Sequence, residues 1–302
     1  MGTEASMQHV VVMRHGDRWD DAEPLWTAGA ERPWDPPLTE GGRDRAYCVG
    51  RRLRRELGFP IHRAFVSPFL RCAETAAEVV TALCAVDHDD DLRRLAGETL
   101  SVDPARVKVS IEYGLCEIFS TKGIRVDRIP KDGEWSFNIS ELEAMMPAGT
   151  VDRTVECVDE KVDLKFLSFT ISISTYQQRL QAVLQLPKWG EPTREARARY
   201  VRVLRSLADK YPNENLLLVT HGRFLSVPRT FCKSCKGVRA VISAFLPDVR
   251  VYVVEHCAYS HQQRRISFNS DNKFTAGNFE VVPDDLETGI RFRLTSELKS
   301  VE

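Results

Sequence analysis

The feature that most constrains this chain is a pair of short apolar runs, each of which leads into a histidine followed by a glycine. The two runs lie far apart and read Val10-Val11-Val12-Met13-Arg14-His15-Gly16 and Leu216-Leu217-Leu218-Val219-Thr220-His221-Gly222. A short aliphatic run is typical of a buried strand in a parallel sheet, and a glycine after it allows close approach of the backbone to a ligand. Ligands bind at the carboxyl ends of such strands, so neighbouring strands would bring both imidazoles into one pocket. Because Arg14 stands beside the first histidine, we expect the pocket to bind an anion, with phosphate as the first candidate.

The composition is that of an ordinary globular protein, with 302 residues, 43% hydrophobic, 28% charged and a formal net charge of −1. A charge so close to zero gives no general basic field, and we therefore expect no nucleic-acid partner. No apolar run approaches the ~20 residues that cross a bilayer, and no signal-peptide pattern is present. We therefore expect no membrane partner, a cytoplasmic or alternatively nuclear location, and reduced thiols at the eight cysteines.

Strand and helix signals alternate along the chain, which predicts an α/β fold with a mostly parallel sheet. The predicted strands are 10–13, 61–66, 107–111, 216–220 and 249–254, and the predicted helices are 43–57, 67–83 and 195–211. Thr39 is expected to cap the first helix and Gly58 to end it, and 120–150 is expected to be an excursion over the sheet. We expect one domain over 1–302, with insertions near 158–184 and 224–237 and a short flexible C-terminal tail.

The carboxyl ends of these predicted strands carry side chains suited to phosphoryl transfer. The set is Arg14, His15 and Arg18 after the first strand, Ser67 and Arg71 after the second, Glu117 after the third, and His221 after the late strand. Guanidinium groups match phosphate oxygens, lower the pKa of a nearby imidazole and stabilise charge in the transition state. A neutral imidazole can attack phosphorus, and a second, protonated one can donate to a phosphate oxygen. A carboxylate can protonate the leaving oxygen and then activate water.

The order of these motifs resembles the histidine phosphatase (phosphoglycerate mutase-like) superfamily. The matching segments are Arg14-His15-Gly16, Leu38-Thr39-x-x-Gly42, Ser67-Pro68-x-x-Arg71-x-x-x-Thr75-Ala76, Glu117 and His221-Gly222. The resemblance implies a three-layer α/β/α sandwich, with helices on both faces of a mostly parallel central sheet. It also implies that His15 is the phosphorylated nucleophile, that Glu117 is the acid/base, and that His221 joins in catalysis. Arg14, Arg71 and His221 would hold the phosphate, without a metal or other cofactor.

Further segments are similar to the phosphatase domain of suppressor-of-T-cell-receptor-signalling proteins and their plant relatives. These segments are Arg14-His15-Gly16-Asp17-Arg18-Trp19-Asp20, Asp35-Pro36-Pro37-Leu38-Thr39 and Glu112-x-Gly114-Leu115-x-Glu117. In that branch the arginine that matches Arg18 joins the phosphate pocket, which favours a phosphatase over a mutase. A loop arginine can equally pair with a nearby acid such as Asp20. The expected partner is a small phosphorylated metabolite or a phosphoprotein, and the oligomeric state is left open.

Two alternative functions stay open, a catalytically weak phospho-ligand binding or scaffold protein of the same fold and a phosphoglycerate mutase-type phosphotransferase. The first alternative depends on the segment after the second His-Gly. Relatives begin a helix there, whereas here 224–237 intervenes and Pro228 would break a helix that began at Gly222. We expect this segment to be an excursion that weakens the support of His221, with helical sequence resuming near Val238.

Cys232 and Cys235 form a Cys-x-x-Cys motif that would need two more ligands to bind zinc. Cys257 together with His256 or His261 could supply them. A single motif of this kind without a partner motif is a weak signal, and we therefore predict no metal site.

Overall fold

The centre of the fold is a mostly parallel β-sheet. The structure, a computed structural model, describes residues 5–86, 100–153, 186–222, 237–245, 249–269, 271, 273–282 and 288–294. Its strands are β1 (Ala5–Arg14), β2 (Arg63–Val66), β3 (Lys108–Ile111), β4 (Leu216–Thr220), β5 (Val249–Val254), β6 (Tyr259–Phe268), β7 (Phe274–Ala276), β8 (Glu280–Val281) and β9 (Ile290–Leu294). Within these residues, seven strands form one sheet in the order β3-β2-β4-β1-β6-β7, with β8 beside β6, and β5 pairs with β9 in a separate ribbon.

The two strands that lead into His-Gly are neighbours in the sheet, which meets the condition for both imidazoles to share one pocket. β4 lies between β1 and β2 and runs parallel to both, and β2 is also parallel to β3. The register pairs Arg14 with Thr220 and Val66 with Val219, so the strands reach the same edge together. The side chains that follow β1, β2, β3 and β4 are therefore brought to one end of the sheet.

Helices cover both faces of this sheet. They are α1 (Trp19–Ala22), α2 (Trp26–Gly29), α3 (Glu40–Glu56), α4 (Leu70–Cys84), α5 (Ile139–Ala144), α6 (Thr193–Lys210) and α7 (Gly237–Phe245), with 3₁₀ turns at Tyr113–Leu115 and Val126–Arg128. Alternate residues of β1 divide the core, because Val11 and Met13 pack in one cluster with α3 and α4, whereas Val10 and Val12 pack with α6 and α7. The predicted three-layer α/β/α sandwich is confirmed.

Side-chain caps explain where two of the predicted helices begin. The Thr39 hydroxyl accepts a hydrogen bond from the Gly42 N–H at 2.9 Å, which confirms the predicted cap of α3. The second helix begins at Leu70 rather than at Ser67, because the buried Asp35 carboxylate accepts a hydrogen bond from the Leu70 N–H at 2.8 Å. A residue distant in the chain therefore decides where α4 begins.

The sequence prediction missed β6 and did not foresee where β5 belongs. β6 is a ten-residue strand that pairs antiparallel with β1. Its buried residues are largely polar and find polar partners: Arg264 Nε donates to Gln8 Oε1 at 2.7 Å, and His261 Nε2 lies 2.9 Å from His9 Nδ1. Residues 249–254 do form a strand, but it pairs with β9 in the separate ribbon. The apolar pattern used for the prediction does not mark a polar strand such as β6, and it does not specify which strand pairs with β5.

Several predicted features lie outside the described residues. They are the insertion near 158–184, Cys232 and Cys235, residues 224–236 and the tail beyond residue 294. Gly237, the last residue of the second predicted insertion, is instead the first residue of α7, and the helical sequence predicted near Val238 is confirmed. Among the helices that the structure describes, none combines the length and the apolar character required to cross a membrane.

Candidate active site

A cavity of about 680 Å³ opens at the end of the sheet where β1, β2, β3 and β4 terminate. Five of the predicted site residues line it, namely Arg14, His15, Arg18, Arg71 and Glu117. The sixth, His221, is fully buried, with its ring 5.5 Å from that of His15. The structure therefore brings together all six residues that the sequence predicts to be catalytic or phosphate-binding, and Ser67 lies beside His221.

The His15 ring is held as a neutral imidazole with a defined tautomer. Its Nδ1 atom lies 2.8 Å from the carbonyl oxygen of Gly16, and a carbonyl can only accept a hydrogen bond. Nδ1 therefore carries the hydrogen, and Nε2 keeps its lone pair. Burial, together with the charges of Arg71 and Arg14, lowers the pKa of His15 well below its ordinary value of 6.5. A neutral, oriented imidazole of this kind is suited to nucleophilic attack.

His221 is also neutral in the observed arrangement. Its Nδ1 atom lies 3.1 Å from a terminal nitrogen of Arg71, and its Nε2 atom lies 2.8 Å from the hydroxyl of Ser67. A guanidinium group can only donate, so Nδ1 accepts and Nε2 donates to the hydroxyl. The Glu117 carboxylate lies 3.8 Å from the same Nδ1 atom. His221 therefore connects Arg71, Glu117 and Ser67 behind the cavity.

Arg71 presents buried N–H groups that lack hydrogen-bond partners among the described residues. The unpartnered atoms are Nε and one terminal nitrogen, although that nitrogen lies 3.7 Å from Asp35 Oδ1. The guanidinium carbon also lies 4.4 Å from the centre of the Phe69 ring. An unsatisfied buried donor is costly, and an anion in the cavity would satisfy it. Burial raises the pKa of Asp35 itself to about 6 despite the nearby arginines.

Arg14 is held at the ends of its guanidinium group and reaches the cavity past a glycine. One terminal nitrogen donates to the Val254 carbonyl at 2.6 Å and the other to His256 Nε2 at 2.8 Å, whereas the buried Nε has no partner among the described residues. A Cβ atom on Gly222 would lie 2.8 Å from Arg14 Cδ. This glycine was expected to let the backbone approach a ligand. The structure shows that it makes room for the arginine side chain.

The glycine of the first His-Gly serves a different close approach. A Cβ atom on Gly16 would lie 2.8 Å from the carbonyl oxygen of Gly42, in the first turn of α3. The loop after β1 is therefore packed backbone against backbone on α3, and the expected contact with a ligand is not the reason for this glycine.

Arg18 lines the cavity and also forms the ion pair that the sequence offered as its alternative role. Its Nε donates to Asp20 Oδ1 at 2.8 Å, and a terminal nitrogen donates to the other oxygen of the same carboxylate. Arg128 donates to that carboxylate as well. Two arginines thus share the buried Asp20, and Arg18 also lies 3.9 Å from Asp21 Oδ2 at the edge of the cavity.

Four further basic residues, which were not expected there from the sequence, also line the cavity. They are Lys122, Arg125, Arg128 and His256. The first three come from the segment predicted only as an excursion over the sheet. His256 was considered as a zinc ligand, but it lies beside Arg14 in the cavity. No three His, Cys, Asp or Glu side chains of the described residues gather as metal ligands. A histidine one polar residue beyond an apolar run was the available signal for His256, as it was for His15.

A sequence model of the family described as histidine phosphatase superfamily (branch 1) matches residues 10–99 and 171–233, slightly more than half of the chain. No curated protein matches the chain in sequence. Similar solved structures include the ecdysone phosphate phosphatase from Bombix mori in complex with tungstate, at 16% identity over 95% of this chain and 98% of that chain, with a TM-score of 0.45. A mycobacterial glucosyl-3-phosphoglycerate phosphatase has 13% identity over 94% and 100% of the two chains, with a TM-score of 0.40. A phosphoglycerate mutase from Plasmodium falciparum has 11% identity over 91% and 99%, with a TM-score of 0.30.

Proposed function

This chain belongs to the histidine phosphatase superfamily and is a phosphatase-type enzyme, and from that premise we propose a metal-independent phosphomonoesterase that works through a phosphohistidine at His15. One observation carries the proposal. The neutral His15 ring, with its lone pair on Nε2, lies between Arg14 and Arg71, whose buried Nε–H groups have no partner among the described residues. This combination matches a nucleophile with an anion-binding site around it.

In the first step, Arg14 and Arg71 donate to the phosphate oxygens while His15 Nε2 attacks phosphorus. The P–N bond forms as the bond between phosphorus and the leaving oxygen breaks, and protonated Glu117 gives its proton to that oxygen. In the second step, the Glu117 carboxylate takes a proton from water, which attacks phosphorus and releases inorganic phosphate. The neutral His15 ring is restored, and Glu117 is again protonated.

His221 can assist only if its hydrogen bonds are exchanged. In the observed arrangement its Nδ1 atom accepts from Arg71, so it has no hydrogen there for a phosphate oxygen. When Arg71 donates to the phosphate instead, Nδ1 can take the proton of a bound phosphate monoester monoanion, and the resulting imidazolium donates a hydrogen bond back to that oxygen. The Ser67 hydroxyl, which accepts from Nε2, would stabilise the charged form.

As the substrate we propose a small phosphorylated metabolite or a phosphoprotein, whose phosphate would enter the cavity at the end of the sheet. Arg18 lines the cavity, and its participation in phosphate binding would favour hydrolysis over transfer between two phosphorylated positions. Interconversion of phosphoglycerates faster than their hydrolysis would overturn this choice in favour of a mutase. The binding-only alternative predicts phosphate binding without turnover, so the turnover measurement below separates it from a phosphatase.

The test is hydrolysis of p-nitrophenyl phosphate in excess chelator, with rapid quenching to trap an acid-labile phosphoenzyme. We expect His15→Ala to lower kcat/KM by roughly 10³-fold or more and to abolish the trapped phosphoenzyme. The matched control is His9→Gln, which alters the other histidine of the same strand, and we expect its turnover to stay near that of the wild type. Turnover that survives His15→Ala unchanged, or that disappears with the chelator, contradicts the mechanism.

A further inference from the structure

His256 lies between a carboxylate and the phosphate-facing Arg14. It occupies the turn between β5 and β6, and its side chain is largely buried. Its Nδ1 atom is 3.1 Å from Asp17 Oδ1, and its Nε2 atom is 2.8 Å from a terminal nitrogen of Arg14. Arg45 of α3 also donates to Asp17, at 2.7 Å. A continuous chain of hydrogen bonds therefore runs from α3 to the guanidinium group that reaches the cavity.

The direction of each hydrogen bond in this chain is fixed by its end groups. The Asp17 carboxylate accepts, so His256 Nδ1 carries a hydrogen, and the Arg14 guanidinium donates, so His256 Nε2 carries a lone pair. The ring is therefore neutral. The hydrogen bond from His256, together with Arg45, holds the pKa of Asp17 well below its usual range. Burial lowers the pKa of His256 from its ordinary value of 6.5, although Asp17 opposes the shift.

Orientation of Arg14 depends on this acceptor. Its two terminal nitrogens are held by the Val254 carbonyl and by His256 Nε2, while the buried Nε has no partner among the described residues. Without the imidazole acceptor, the Val254 carbonyl would be the one remaining hydrogen-bond partner of the guanidinium group among the residues that the structure describes. The centre of the His256 ring also lies 5.8 Å from that of the His15 ring, so a displacement of His256 and Arg14 would occur next to the proposed nucleophile.

We propose that His256, held by Asp17, is a positioning residue that orients the Arg14 guanidinium for phosphate and releases it when the imidazole becomes protonated. The inference rests on the proposed function, because it assigns His256 to the phosphate-binding part of that same site. Protonation turns Nε2 from an acceptor into a donor, so Arg14 loses its partner and two cations face one another. Phosphate binding is therefore sensitive to acid through His256.

The charged and titratable groups around His256 come from three sides. Arg14 lies on β1 with His15 directly after it, Asp17 lies in the following loop, and Asp21 lies on α1. Arg45 reaches His256 only through Asp17. The two acids favour the protonated ring, whereas Arg14 and burial oppose it. Because burial lowers the pKa, the neutral ring persists at neutral pH, and Arg14 is released only as the pH falls below the ordinary histidine value.

The experiment compares wild type, His256→Gln, His256→Ala and Asp17→Asn in the full chain. Glutamine keeps both hydrogen bonds, since its amide nitrogen can donate to Asp17 and its oxygen can accept from Arg14, but it does not titrate. The probe is inorganic phosphate, measured by calorimetry between pH 5 and 8, alongside KM and kcat for p-nitrophenyl phosphate. His9→Gln is the control for loss of a histidine elsewhere in the sheet.

At neutral pH we expect His256→Ala to weaken phosphate binding by roughly tenfold and to raise KM more than it lowers kcat. The phosphate affinity of Asp17→Asn should lie between that of His256→Ala and that of the wild type, and the glutamine variant should restore near wild-type affinity. As the pH falls, the wild type should lose affinity relative to His256→Gln, because only the wild-type ring gains a proton.

Parallel pH profiles for the wild type and His256→Gln overturn the proposal, as does unchanged phosphate affinity in His256→Ala. If His256→Ala does not fold, the comparison of the wild type with the glutamine variant still decides the matter. A wild type that binds phosphate without turnover contradicts the proposed function alone, since the binding measurement still tests His256. A wild type that binds no phosphate contradicts both proposals.

Discussion

At the scale of single residues, three imidazoles in the site each face a group that can bond in one direction only. The Gly16 carbonyl accepts from His15, the Arg71 guanidinium donates to His221, and the Asp17 carboxylate accepts from His256. Each partner thereby assigns the tautomer of its neutral ring, while burial lowers the pKa of His15 and of His256. The positive charge of the cavity comes mainly from the arginines, which stay protonated across the accessible pH range, together with Lys122.

Gly222→Ala should weaken phosphate binding by displacing Arg14. The added Cβ would lie 2.8 Å from Arg14 Cδ and 3.1 Å from a methyl group of Val254, and both side chains are buried. We expect roughly a tenfold loss of phosphate affinity and a loss of about 1–2 kcal/mol in the free energy of unfolding. Calorimetry and urea unfolding measure the two effects. Gly29→Ala is the control, since its Cβ would have no neighbour within 4 Å, and equal behaviour of the two variants would contradict the argument.

Glu112→Gln should change how stability depends on pH. Burial raises the pKa of Glu112 to about 8, although the Gly114 N–H donates to the carboxyl group at 2.8 Å. As the pH rises from about 4.5 to 8, the unfolded chain ionises while the folded one keeps its proton, so the unfolding free energy falls. We expect the wild type to lose on the order of 4 kcal/mol more than Glu112→Gln across that window.

Urea unfolding at several pH values measures this difference. The exposed Glu23 provides the control, since Glu23→Gln should follow the wild-type profile. Parallel stability curves for the wild type and Glu112→Gln would show that Glu112 is not the group responsible.

At the scale of elements, the first turn of α3 holds the loop that follows β1. Thr39 caps the helix, and its second and third residues are both glycines with different surroundings. A Cβ on Gly42 would lie 2.5 Å from the Asp17 carbonyl oxygen, whereas one on Gly41 would meet nothing within 4 Å. The junction between β1 and α3 therefore has room for a side chain at Gly41 and none at Gly42.

Gly41→Ala and Gly42→Ala form a matched pair that tests this junction. We expect Gly41→Ala to stabilise the protein by about 0.5–1 kcal/mol, because alanine restricts the unfolded chain and suits an exposed helical position. Gly42→Ala should destabilise it by about 1–3 kcal/mol and lower kcat/KM, because Asp17 and the adjoining loop must move. Urea unfolding and p-nitrophenyl phosphate turnover measure both. A similar effect of the two substitutions would mean that the close backbone approach does not matter.

At the scale of the whole molecule, α7 begins beside His221 at the end of the sheet that carries the cavity, although α7 lies well beyond His221 in the sequence. Gly237 packs against the backbone of His221, and the Val238 N–H donates to the His221 carbonyl at 3.2 Å. Deletion of 224–236 would place Val238 four residues after His221. That spacing is the one an α-helical hydrogen bond requires, so the same bond would fit an uninterrupted helix in the deletion variant.

We expect the variant that lacks 224–236 to fold and to gain turnover more than stability. An uninterrupted helix would hold His221 against the start of α7, while closure of a long connection costs little free energy in either form. Turnover of p-nitrophenyl phosphate and urea unfolding of the two proteins decide the matter. A deletion variant that is folded but no more active shows that this segment does not limit the site.

The sequence by itself determined the buried strands β1 and β4, the cap at Thr39 and the convergence of six side chains at the cavity. These features rest on local physics. An aliphatic run must be buried, a threonine before a polar helical turn satisfies an exposed N–H, and the ends of parallel strands meet at one edge. The order of the arginines, the histidines and Glu117 along the chain was therefore sufficient to predict that they converge.

Only the tertiary structure decided the place of β6, the role of Gly222 and the part that His256 plays beside Arg14. β6 is polar, and its partners on β1 lie near the other end of the chain, so no local pattern marks it. The position of His256 follows from the turn after β5, and its neutral state follows from the groups on either side of it. Hydrogen-bond direction and close approach are properties of neighbours in space, and a residue's neighbours in sequence do not specify them.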